Sequence, residues 1–271
     1  MRKIITFILF LFLSAVVLNA QETALFRVTY DCDALYSKTR KTYRWFLDVG
    51  KTQSVFYNPN NRTWASEYDN IYKETDIATA LVRAQNANKK YGNKNSMEVL
   101  TGAPSSDKYT YMRYIKTNKF IYTEKLPQID WALSDSTKTI CDYQCKKAVA
   151  TVYGRTWTVW YTPDIPVSAG PYVLKGLPGV ILEACDADNL FHFVAVGLEQ
   201  NVYDARIELF EKDKALKCSR SKFLKLRKAE EGKTYGEAVK ELGINLVKAV
   251  DINGKDITNT VKPASNYLDL E

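Results

Sequence analysis

Cys141 and Cys145 stand four residues apart in "CDYQC", with Cys185 and His192 further along the chain. Thiolate and imidazole are the ligands preferred by soft and borderline ions. These four residues are therefore a candidate copper or zinc site, provided a turn brings the first two together. In a straight strand Cys141 and Cys145 would share a face about 13 Å apart, too far for a disulfide, whereas a turn would permit one. Buried structural thiols are the plainer reading. A second constellation is carboxylate-based. Glu183, Asp186 and Asp188 lie close together, and paired carboxylates supply the acid and base of a hydrolase, although a strand end followed by an acidic hairpin turn accounts for the same residues. A third is aromatic: Trp157, Trp160 and Tyr161 precede a corner, Gly176-Leu177-Pro178-Gly179, and together they are candidate lining for a ligand groove.

His192 is the only histidine. A Ser-His-Asp or Cys-His arrangement would have to pass through it, and a two-histidine metal site would lack its second ligand. In "LFHFVAV" the alternation places it as an ordinary sheet residue. The chain has no G-x-S-x-G elbow, P-loop, dinucleotide fingerprint or H-E-x-x-H helix. The residues thus point to a non-enzymatic binding or carrier protein, with no cofactor unless copper or zinc sits on the cysteines.

The elements that must position these groups are strands. Period-two runs rich in Tyr, Phe, Val, Ile, Thr and Trp predict strands near 23–32, 41–48, 52–57, 108–116, 119–124, 129–133, 145–153, 156–162, 179–185, 190–198 and 203–210. The links "KTNK", "YGR" and "DADN" are too short for crossovers, so neighbouring strands are antiparallel. Helical spacing is confined to about 68–87, to the segment after Ser219 and to "TYGEAVKELG" from Thr234, which ends at Gly243. Between Trp160 and Cys185 the chain places four of its eight prolines. Pro163 and Pro166 hold their neighbours extended, and Gly179 is expected at the positive φ of a type II turn. The expected fold is mainly β: a strongly curved antiparallel sheet, a half-barrel or open barrel, with two or three accessory helices.

Residues 1–20, with Arg2 and Lys3 ahead of an apolar run, read as a signal peptide. Residues 21–249 read as one β-rich domain and 250–271 as a flexible C-terminal tail. The expected location is therefore the periplasm or the outer membrane. The formal charge of +7 is a mild basic excess for 271 residues, which suits peripheral contact with a membrane and does not suggest nucleic acid as a partner. Five cysteines leave at least one outside any intramolecular pairing.

Trp131, "KTICDYQCKKA" at 138–148, "GRTWTVWYTPDIP" at 154–166 and "GPYVLKGLPGVIL" at 170–182, in that order, resemble the exported bacterial GLPGLI family. Val180 stands where that family's name has Leu, and Asp142 where it usually has Gly. The resemblance implies a Bacteroidota-type envelope protein and carries over no catalytic residues. The partners expected on this reading are an apolar small molecule, a peptide or an outer-membrane protein.

Overall fold

Period-two segments become strands of one sheet in the computed structural model, which describes residues 22–36, 39–71, 73, 76–91, 97–115, 118–202, 204–240, 248–250, 253–261 and 266–268. The stretch read as a signal peptide lies outside them, as does the expected helix end at Gly243. The strands are β1 (Phe26–Ala34), β2 (Lys41–Val49), β3 (Ser54–Tyr57), β4 (Glu98–Thr101), β5 (Lys108–Ile115), β6 (Asn118–Lys125), β7 (Ala132–Ile140), β8 (Tyr143–Val152), β9 (Arg155–Thr162), β10 (Val180–Asp186), β11 (Phe191–Gln200) and the short β12 (Leu216–Lys217). They line up as β12-β6-β5-β4-β3-β2-β1-β11-β10-β9-β8-β7. All neighbours are antiparallel except β12 with β6. The sheet is open, with β12 and β7 at its edges.

Strong curvature follows from one contact. The Tyr109 hydroxyl on β5 lies 3.0 Å from that of Tyr153, in the turn between β8 and β9. Seven ladder steps separate β5 from β9, a span of about 30 Å in a flat sheet at roughly 4.8 Å per step. Two tyrosines bridge that span only if the sheet rolls until its halves face each other.

Four helices are present among the described residues, more than expected. α1 (Pro59–Ile71) and α2 (Ile77–Tyr91) pack on each other between β3 and β4. The single helix expected over 68–87 is thus the end of one helix and most of another. Pro59 opens α1 at the position where its missing N–H costs nothing, and Asn58 Oδ1 accepts from Asn60 N at 2.9 Å. α3 (Arg220–Glu231) is capped by Ser219, which accepts from Lys222 N. α4 (Tyr235–Lys240) starts at Thr234, whose N–H and hydroxyl both bond the Glu237 carboxylate.

The rolled sheet has a solid interior. Tyr30, Trp45, Phe56, Tyr111, Trp157 and Phe193 point inward from the strands. The 163–179 connection adds Tyr172, Leu174 and Leu177, and α3 adds Phe223, whose ring packs against Tyr111 and Tyr122. Part of the stretch read as a flexible tail joins this packing: Leu268 is buried, and the Tyr267 ring lies between the Arg113 and Arg227 guanidiniums. On the outward face, residue 202 and residues 204–215 cover β2 to β6, burying Ile207 and Leu209 against Val55, Tyr57 and Met112. The outward residues of β9, β10 and β11 keep part of their surface in solvent.

A candidate polar site on the outward sheet face

Along β9, Trp157, Val159 and Tyr161 are buried while Thr158 and Trp160 face outward. The three aromatic candidates therefore divide between two faces. A bulge decides the neighbouring strand. Ile181 pairs with Tyr161 but Glu183 pairs with Trp160, so β10 spends one extra residue, Leu182, against β9. Strict alternation would have put Glu183 inward with Ile181. The bulge re-aims it to the outward side, beside Trp160. Across β10 and β11, Cys185 pairs with His192, which places the imidazole next to that carboxylate.

Glu183 is the hub. Its Oε1 lies 3.1 Å from His192 Nε2, and Lys138 Nζ on β7 donates to its Oε2. Lys138 Nζ also sits 4.4 Å from the centroid of the Trp160 ring. Burial pushes the Glu183 carboxyl up, but the hydrogen bonds from His192 and Lys138 outweigh it and hold the group below its ordinary value. Glu183 is therefore an ionised acceptor at neutral pH, and His192 Nε2 carries the proton between them. A carboxyl depressed in this way stabilises the fold above its ordinary value, and that contribution is lost as pH falls through the lowered one. The array offers one acceptor flanked by two donors and an indole, a set that matches hydroxyl and amide groups better than it matches proton donation.

The other two carboxylates do not join it. Asp186 turns inward, pairing with Arg155 Nη1 at 2.8 Å and accepting from Phe191 N at 2.6 Å. Both side chains of this ion pair are almost wholly buried, and Arg155 Nε donates to Tyr267 O at 2.8 Å. Asp188 is at the hairpin tip, 3.9 Å from Arg155 Nη1, with its side chain 74% exposed. The paired-carboxylate site expected over 183–188 is thus split by strand alternation into an outward hub, a buried structural acid and a solvated one.

The four expected metal ligands are not gathered either. Cys141 Sγ donates to Ala195 O at 3.3 Å and Cys145 Sγ to Tyr143 O at 3.6 Å. Cys185 Sγ lies 3.6 Å from Asn189 Oδ1. Among the described residues no three histidine, cysteine or acidic side chains form a metal-holding group. Burial raises all five thiols, with Cys145 pushed up to about 11. All five are free thiols, so unfolding the unreduced protein should release five equivalents to Ellman's reagent. A count of three or fewer would show a bridge.

The Gly176–Gly179 corner divides between core and surface. Leu177 and Gly179 are buried while Gly176 and Pro178 face solvent. Positive φ occurs at Gly176, at 99°, and not at Gly179. Gly179 is required for another reason: a Cβ there would lie 2.0 Å from Thr162 O. The inward side of the sheet is packed by the core residues described above. A small cleft of about 130 Å³ lies between Ile165, Leu25, Phe26, Leu198, Gln200 and Asn201.

A family model described as N-glycanase peptide, N-terminal domain, matches residues 56–217. The chain belongs to that family. Membership in the N-glycanase family, an enzyme family, overturns the reading of the residues as non-enzymatic, which rested on motifs of other enzyme classes. The matched model is also not the GLPGLI family, although an exported bacterial family is compatible with it. Two solved structures, of PNGF-II in a P21 and in a C2 space group, are similar to the N-glycanase-family chain at 13% and 14% identity with a TM-score of 0.49 each. They cover 76% and 74% of it and 33% and 32% of their own chains, so it spans about a third of the solved structures it matches. No curated protein matches it.

Proposed function

We propose that this domain engages N-glycosylated peptide in an N-glycanase-type activity outside the cytoplasm, and that the glycan is held on the outward side of the sheet by Trp160, Glu183 and His192. Family membership supports the substrate class. The observation that carries the site is the bulge at Leu182, which brings an ionised carboxylate, two donors and an indole to one side of the sheet. Sugar hydroxyls and acetamido N–H groups bond to a carboxylate more strongly than to a neutral acceptor, and the apolar face of a sugar ring packs on an indole. Among the earlier partner expectations the peptide is retained in this reading. The apolar guest is not part of it. The export suggested by residues 1–20 belongs to the same proposal.

The test is binding of N,N′-diacetylchitobiose and of an N-glycopeptide, followed by calorimetry. Trp160→Ala and Glu183→Ala should each weaken binding by about tenfold, which corresponds to roughly 1.4 kcal/mol. Both side chains face outward, with Trp160 at the margin of the core and Glu183 ion-paired, so each variant should also lower the melting temperature modestly, and binding is compared at a temperature where both are folded. Affinity unchanged in both variants would remove the site.

A further inference from the structure

Lys138 reaches the array from outside the three strands that carry its other members. β7 is the last strand of the sheet, and its residues 132–137 are exposed. A register shift between Ser134 and Thr137 separates the far half of the strand from the near half. That far half leans over the sheet until Cys141, at the hairpin tip, donates to Ala195 O on β11. Pairing of β10 with β11 spans only Glu183 to Cys185, so the tip lands where the two strands have parted. The hairpin is anchored just beyond the lysine, since Ile140 and Cys145 are buried.

The Lys138 side chain is held far less firmly than the strand that carries it. Its side chain is 32% exposed and that of Glu183 14%, and ion pairs that keep one partner in contact with solvent contribute about 1 kcal/mol or less. Its position above the Trp160 ring is the one a sugar face would take when stacking on the indole. When the ammonium leaves, Glu183 keeps His192, and Trp160 and Glu183 remain fixed by strand pairing. A rotation about the side-chain bonds therefore opens the aromatic face without moving the backbone.

We propose that Lys138 is a gate on this site: its ammonium covers the Trp160 face in the free protein and swings aside when a sugar ring is admitted. This rests on the reading of the array as a glycan site. A gate of this strength divides the free protein between closed and open forms, and the apparent Kd rises by the inverse of the open fraction. With N,N′-diacetylchitobiose as the probe, Lys138→Ala should bind about two- to fivefold more tightly than the unaltered protein. Lys138→Arg, whose flat guanidinium stacks on an indole better than an ammonium does, should bind more weakly. The Trp160 indole N–H resonance should shift on adding the probe in all three proteins. Weaker binding by Lys138→Ala with that shift retained would make Lys138 a ligand contact; the gate would then fall and the glycan site would stand. Equal affinity in all three proteins would also overturn the gate. If the resonance does not move in any of them, both readings fail.

Discussion

Asp186→Ala is expected to cost about 3–5 kcal/mol of stability, because it leaves the Arg155 guanidinium buried without its counter-ion. In a chain of this size that corresponds to a fall in Tm of roughly 10 °C in a calorimetric scan. Three partners are lost together: Arg155 loses its carboxylate, Phe191 N loses its acceptor, and the Arg155 contact to Tyr267 O loses the group that orients it. Asp186→Asn should fall between the two, since the amide oxygen still accepts from Phe191 N. Asp188→Ala should change little, because that carboxylate is solvated. A Tm for Asp186→Ala within about 2 °C of the unaltered protein would show that the pair is not a structural clasp.

The second large effect is at Gly179. A methyl group there would lie 2.0 Å from Thr162 O, 2.6 Å from Thr162 C and 3.1 Å from Pro163 N. All three are backbone atoms, and Thr162 is tied to Val180 by the β9–β10 ladder, so nothing nearby yields by a rotamer change. Gly179→Ala should therefore destabilise by about 3 kcal/mol or more, at the upper end of overpacking costs. Gly176→Ala meets nothing closer than Trp131 Nε1 at 3.6 Å and loses only the ease of positive φ, about 1 kcal/mol. The order of the two is the decisive result. If Gly176→Ala were the more damaging, φ and not close approach would govern this corner.

That reversal marks where the sequence stops being readable. "GLPGV" carries the signature of a type II turn, and the corner is real, but nothing in the letters says that Gly179 passes beneath the carbonyl of a residue seventeen positions earlier. The strands with strong alternation, such as "TWTVWYT" and "FHFVAV", fall where their pattern predicts. β4 escapes notice because Glu98–Thr101 is only four residues long. β7 is obscured for a different reason: "ALSDSTKTI" is an edge strand exposed on both sides over most of its length, so no burial imposes a period. The segment 203–210 has the pattern of a strand because Ile207 and Leu209 do alternate into a core, although it is one laid over the outward face and not a ladder.

The site follows the same logic. Glu183 and His192 are near each other in sequence, yet their partnership depends on the bulge at Leu182, and a bulge at the end of an apolar run such as Val180-Ile181-Leu182 has no short-range signature. Trp160 was grouped with Trp157 and Tyr161 because they are adjacent, whereas pleating sends them to opposite faces. Lys138 carries no signal of its own, being the first residue of "KTICDYQCKKA". Its role needs a side chain on β7 to reach Glu183 on β10, past β8 and β9, a contact that no local pattern announces.

The strand order also has a consequence for how the chain is made. β1 to β6 form one run of consecutive neighbours and β7 to β11 another, and the two runs are joined as strands where β1 pairs with β11. Within each run, partners are close in sequence and close quickly; the seam joins residues 26–34 to residues 191–200 and must wait for the second run to emerge. Until then β1 carries an open edge along its full length, flanked by aromatic side chains that the finished protein hides. Production yield should therefore respond most sharply to changes along this one junction.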